Sequence, residues 1–145
     1  MSKSWAEKMK VEGYPKVVPI EGKAIDKWGP GTMVISCPEE IKVIMSSVPS
    51  GEVITINEIR ERLSKKHKTT KACPITTGIF AWIVAHAVEE VKAQGIEDKT
   101  AWWRTLKGDG EINPKFPGGI DMQKILLENE GHVVVQKGKR WMVER

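Results

Sequence analysis

The chain has 145 residues, 40% of them apolar and 29% charged, with a net charge of +4 and a pI near 9.1. That length supports one core rather than two, and the sequence offers neither a run of about 18 apolar residues to cross a membrane nor, in MSKSWAEKMK, a secretory signal. A soluble, cytoplasmic, monomeric protein is therefore expected, and Cys37 and Cys73, in no metal-ligand spacing, argue against a zinc site or disulfide framework; no cofactor or metal is expected.

Residues 1–35 are broken by Gly13, Pro15, Pro19, Gly22, Gly29, Pro30 and Gly31, which predicts an irregular arm, parts of it packed onto the rest through Trp5, Tyr14 and Trp28. The domain proper is expected over 36–145. Ser36 with Glu39 reads as a capping box, Pro38 suits a first helical turn, and Ile41, Ile44, Met45 and Val48 recur at helical spacing, giving a helix over about 38–47. After Val48-Pro49-Ser50-Gly51 comes a short extended piece. Thr55 and Glu58 then form a second capping box ahead of Ile56, Ile59 and Leu63. A basic loop over 64–71 leads to Cys73-Pro74 and a long third helix that ends at Gly95. Ile75, Ile79, Trp82, Ile83, His86 and Val91 share one half-buried face of it. Thr100 to Leu106 reads as a strand, Lys107-Gly108-Asp109-Gly110 as a turn, and Glu111-Ile112 as the return. A last helix over about 120–130, with Met122, Ile125 and Leu126 inward, stops at Gly131. Val133–Gln136 and Arg140–Val143 then make a terminal hairpin. The whole reads as a mainly α, winged-helix chain with a small antiparallel β wing and a C-terminal hairpin.

Several residues could carry chemistry. Lys65, Lys66, His67, Lys68 and Lys71 crowd into seven positions, which fits either a solvated turn or phosphate contacts, with Thr69, Thr70, Thr76 and Thr77 adding hydroxyls. Cys73 stands at a helix start near Lys71, where a thiolate would be favoured, although a simple packing role is the favoured reading. His86 reads as a half-buried structural histidine. Trp102 and Trp103, adjacent on a strand, would point to opposite faces, and Arg104 could pair with Glu130 or face DNA.

Three stretches, in order, resemble the C-terminal, DNA-binding domain of the O6-alkylguanine-DNA alkyltransferases: Val48-Pro49-Ser50-Gly51-Glu52-Val53, Trp103-Arg104 with Gly108-Asp109-Gly110, and Phe116-Pro117-Gly118-Gly119 leading to Leu126-Leu127-Glu128-Asn129-Glu130-Gly131. The resemblance covers roughly residues 38–131. Where that family has Pro-Cys-His-Arg, this chain has Ala101-Trp102-Trp103-Arg104, so the nucleophile and its activating histidine are both replaced by tryptophan. An indole cannot replace a thiolate, so the resemblance implies no catalytic residue here. Tryptophan at the acceptor position is the mark of the alkyltransferase-like branch. That likeness implies a non-catalytic binder of alkylated guanine in double-stranded DNA that hands lesions to nucleotide excision repair proteins.

By the same resemblance, Trp102, Trp103, Phe116 and Gly118 would form a lesion pocket, and Lys65, Lys66, Lys68, Lys71, Thr76 and Arg104 would contact DNA. The chain departs from the family at the recognition-helix arginine (Ile75 and Thr76 here), at a tyrosine (Ile56) and at a Tyr-Ser pair (Phe116-Pro117). These departures open an alternative, an interaction or small-ligand module that keeps the fold and binds in a pocket walled by Trp102, Trp103 and Phe116. A third reading is an enzyme using Cys73.

Overall fold

In chain order the structure, a computed structural model that describes residues 3–145, runs α1 (Trp5–Lys8), β1 (Lys16–Pro19), α2 (Ala24–Trp28), β2 (Thr32–Ile35), α3 (Pro38–Ser46), β3 (Ile54–Thr55), α4 (Ile56–His67), β4 (Lys71–Ala72), α5 (Pro74–Ala93), a 3-10 turn (Trp102–Arg104), β5 (Thr105–Leu106), α6 (Gly119–Asn129), β6 (Val134–Lys137) and β7 (Arg140–Val143). The core forms where α3 and α4 pack on α5. Ile41 and Met45 of α3, Ile59 and Leu63 of α4, and Ala81, Val84, Ala85 and Val88 of α5 are all sealed from solvent. α4 starts on the expected capping box: the Thr55 hydroxyl accepts from the Glu58 N–H, and the Glu58 carboxylate accepts from the Thr55 N–H.

The face of α5 that packs is not the one its large residues suggest. Thr77, Ala81, Val84, Ala85 and Val88 are buried, whereas Ile75 and Ile79 are 57% and 45% exposed. Small side chains let neighbouring helices approach closely, and a helix that is apolar almost all round gives periodicity little to discriminate. α6 is likewise turned by one position, with Gln123 and Leu127 buried and Ile125 exposed. The first capping box does not form. Cys37 is the N-cap without a side-chain bond, and the Ser36 hydroxyl turns inward to donate to the Glu40 carboxylate at 2.5 Å.

Of residues 1–35, expected as an irregular arm, the described residues 3–35 hold two short helices and a hairpin. β1 and β2 pair antiparallel, and β2 also pairs parallel with β4, in the register Met33 with Lys71 and Val34 with Ala72. At the other end of this segment, Trp5 stacks on His86 (4.4 Å, 18°) and meets Trp82 edge-on (4.7 Å). The Glu90 carboxylate accepts from the N–H groups of Trp5 and Ala6, at 3.0 Å each.

The antiparallel wing expected from 100–112 is also absent. Trp102–Arg104 coil into a 3-10 turn, so only Thr105 and Leu106 stay extended, and they pair parallel with Ile54 and Thr55 of β3. The fully buried Gln123 donates to the carbonyls of Trp103 and Thr105 and accepts from the Asn113 N–H, taking groups that a longer ladder would have used. The return segment joins the terminal hairpin, with Glu111 bridging Met142 and the Ile112 N–H donating to the Trp141 carbonyl. The β6–β7 hairpin forms as expected, closed by Gly138-Lys139. Among the described residues no helix is long and apolar enough to cross a membrane.

Candidate nucleic-acid interface

The N-terminal ends of α4 and α5 and the segment 107–115 enclose a groove of about 540 Å³. Its apolar floor is Ile56, Ile75, Gly78, Ile79 and Trp82. Its rim carries Arg60, Lys107 and Lys115, and no carboxylate among the described residues lines it. Arg60 is held in place: its Nε–H donates to the Ala72 carbonyl at 3.0 Å and its Nη1 to Asn57 Oδ1 at 3.2 Å, while Asn57 Nδ2 donates to the Gly108 carbonyl at 3.2 Å. Lys107 lies 3.5 Å from Glu111, and Lys115 makes no ion pair among the described residues. The Trp82 indole N–H (3.0 Å) and His86 Nε2 (2.8 Å) both bond the Lys115 carbonyl, which pins one wall of the groove to α5.

The basic cluster expected to meet phosphate is split by the fold. Lys65, Lys66 and His67 close α4, Lys68 takes the left-handed cap conformation (φ 55°), and Lys71 opens β4. Lys66 Nζ and His67 Nε2 both lie 2.7 Å from Glu40 Oε2. Burial pushes the Glu40 carboxyl up, but Lys66, Ser36 and His67 together outweigh it and hold the group below the ordinary carboxylate range. Lys66 is thus engaged within the protein, whereas Lys65, Lys68 and Lys71 make no ion pair among the described residues. Three of the four threonine hydroxyls bond within the protein, and the exposed Thr70 is one of them. Thr69 donates to the Lys71 carbonyl, Thr70 accepts from the Thr32 N–H, Thr77 donates to the Cys73 carbonyl, and the Thr76 hydroxyl is buried without a hydrogen-bond partner among the described residues.

Of the residues expected to form a lesion pocket, Trp102 and Phe116 lie in the core, Trp103 is half-buried and Gly118 is exposed. Trp102 is fully buried, 5.8 Å from Trp103 and 6.0 Å from Phe116 between ring centroids, and its N–H donates to Glu89. The groove above and two further cavities, all of 540–600 Å³, are lined by other residues, without Trp102, Trp103 or Phe116. Trp102 opens the 3-10 turn that stands where a strand was expected. Gly118 has a backbone reason to be glycine: its φ is +75°, and a Cβ would collide with the side chain of Met122. Arg104, a candidate for DNA, spends its guanidinium on Glu130 and the Val48 carbonyl. Cys73, 6% exposed, packs with Ile20 and Met33.

Sequence reading missed the groove itself. Its isoleucines read as core, and Arg60, Lys107 and Lys115 are isolated cations that only the fold assembles. The one available signal was Gly78, a glycine inside a helix.

No protein-family model and no curated protein matches the chain. Among solved structures it is similar to Atl1 of S. pombe in complex with damaged DNA containing O6-carboxymethylguanine, at 20% identity and a TM-score of 0.50, covering 74% of this chain and 87% of that one. It is also similar to S. pombe ATL in complex with DNA, at 18% identity and a TM-score of 0.49, with the same coverage. The first likeness supports the alkyltransferase-like fold.

Proposed function

We propose that this chain binds duplex DNA without transferring an alkyl group, and that the groove between α4, α5 and the segment 107–115 receives an alkylated or distorted site. The observation that carries the reading is an apolar groove of about 540 Å³ rimmed by Arg60, Lys107 and Lys115 and lined by no carboxylate among the described residues. Cations bind the phosphate backbone, and an apolar cleft accepts a base face that has left the stack. Lys65 in the last turn of α4, Lys68 at its cap and Lys71 in β4 add positive charge outside the groove. The fold shared with Atl1, solved on damaged DNA, adds support.

The residues present support binding without transfer. Among the described residues no cysteine, serine, threonine or histidine lines the groove, and Cys73 is packed into the core. A sensor of this kind would pass its site to other repair proteins, with nucleotide excision repair as the downstream route.

Fluorescence anisotropy with matched duplexes containing guanine or O6-methylguanine, at two salt concentrations, tests the reading. Tighter, salt-sensitive binding of the alkylated duplex is expected. Equal binding of both would leave a general DNA binder, and no binding at low salt would overturn the proposal.

A further inference from the structure

Trp82, His86 and Glu90 follow one another at helical spacing on α5 and so share one face of it. The first two hold the wall of the groove, since both bond the Lys115 carbonyl, at 3.0 and 2.8 Å. A carbonyl only accepts, so His86 carries a proton on Nε2. The same column also receives α1. Trp5 lies flat on the His86 ring and edge-on to Trp82, and the Glu90 carboxylate accepts from the Trp5 and Ala6 N–H groups. Three side chains therefore join α1 to the rim of the groove, and Trp82 lines the groove itself.

α1 has little else to hold it. It is four residues long and none of them is buried. A single helical turn does not persist alone. It is kept in place by the Ser4 cap, the two bonds to Glu90, the Trp5 stack and Met9 at the edge of the core. So lightly held a segment opens and closes as a unit of its own, well before the domain unfolds. When it opens, the His86 ring loses the flat surface that fixes its plane, and the ring torsion of a histidine is otherwise soft. The bond to the Lys115 carbonyl loosens with it.

We propose that Ser4–Met9 is a strap that positions the Lys115 wall of the groove for the duplex. Trp5 and His86 are positioning residues, acting through the Lys115 carbonyl and touching no nucleotide. Seating of the strap and binding of the duplex then favour one another to the same degree, as any two coupled equilibria must. The inference rests on the DNA-binding reading above and adds a control on it from outside the groove.

The test uses the full chain, a fluorescent duplex containing O6-methylguanine, and trypsin, which cuts after Lys8 and Lys10 once the strap opens. Trp5→Ala weakens binding about ten-fold with an unchanged salt dependence, because the same phosphates are neutralised, and Trp5→Phe keeps most of the affinity. In the wild type the duplex slows cleavage at Lys8 and Lys10 by about the same factor. In His86→Phe, which can stack on Trp5 but cannot donate to Lys115, that protection is largely lost. Three results overturn the strap and leave DNA binding standing: wild-type affinity in Trp5→Ala, a salt dependence that falls in that variant, or full protection in His86→Phe. Absence of any duplex binding by the wild type overturns both.

Discussion

Arg104 grips Glu130 with a two-pronged contact: Nε and Nη2 of the guanidinium both donate to the carboxylate, the latter at 2.5 Å, while Nη1 donates to the Val48 carbonyl at 2.7 Å. Only 15% and 13% of the two side chains are exposed, so the pair ties the 3-10 turn to the end of α6 and to the loop after α3. Arg104→Ala leaves a nearly buried carboxylate alone and should cost about 3 kcal/mol in urea unfolding. Arg104→Lys should recover less than half of that, because an ammonium cannot reproduce the fork. A change in DNA affinity at unaltered stability would contradict this structural assignment.

Glu130 and three other carboxylates give the fold an acid limit. The Arg104 guanidinium holds Glu130 below its ordinary value against burial, and Glu58 is held down chiefly by Arg145. At Glu40 and Asp98 burial is the largest influence and raises the carboxyl. It is outweighed by Lys66, Ser36 and His67 at Glu40, and by Lys42 and Thr100 at Asp98. A folded-state pKa lowered in this way contributes stability that is complete above the unfolded value, 4.5 for Glu and 3.8 for Asp, and is lost as pH falls through the folded value. Thermal midpoints should therefore hold from pH 7 to about 5 and fall steeply below 4.5. Glu130→Gln should start lower at neutral pH and decline less in acid.

Trp102 cannot be converted into an alkyl acceptor by a single change. Trp102→Cys removes a large, fully buried side chain and should cost about 3–5 kcal/mol. Mass spectrometry after incubation with O6-methylguanine DNA should show no added methyl on that cysteine. The wild-type Cys37 and Cys73 should stay unmodified as well, and a methyl gained on either would sink the non-catalytic reading.

The lysines from the end of α4 to β4 should fall into two classes. Reversing Lys65, Lys68 or Lys71 leaves stability unchanged and lowers the salt dependence of DNA binding by about 0.9 for each phosphate no longer neutralised. Lys66→Glu places a second carboxylate beside Glu40, 2.7 Å from where the ammonium stood, and lowers the thermal midpoint instead. A uniform response across all four positions would argue against the division.

Gly78→Ala should act with opposite signs on stability and binding. The added methyl meets nothing inside the protein, so the helix gains about 0.5–1 kcal/mol. The same methyl projects into the groove and should weaken DNA binding. If Gly78→Ala is stabilising and binds as before, the floor of the groove does not touch the duplex.

The elements were legible wherever a local signal fixed them. Pro38 and Pro74 mark two helix starts, the Thr55–Glu58 box marks a third, and the Gly138-Lys139 turn sets the hairpin. Illegible were the choices made by tertiary contacts. Nothing local says that Ala81 and Ala85, rather than Ile75 and Ile79, face the core, because all four are apolar. The wing failed for a related reason: the extended potential of Thr100–Leu106 lost to a turn that buries Trp102 and to the hydrogen bonds of Gln123. Arg104–Glu130 was readable as one of two options, and burial chose between them.

The placement of β2 between β1 and β4 bears on how the chain folds as it is made. On a ribosome, Thr32–Ile35 emerges with only its hairpin partner available, and its second neighbour, Lys71–Ala72, follows some 35 residues later. Trp5 waits longer still, since its seat on Trp82 and His86 comes roughly 80 residues after it. Segment 3–35 is therefore made before the residues it pairs with and is among the last parts of this domain to consolidate, and such distant pairings slow folding. Until then β2 keeps an open edge, and the nascent chain is most prone to mispairing along that strand.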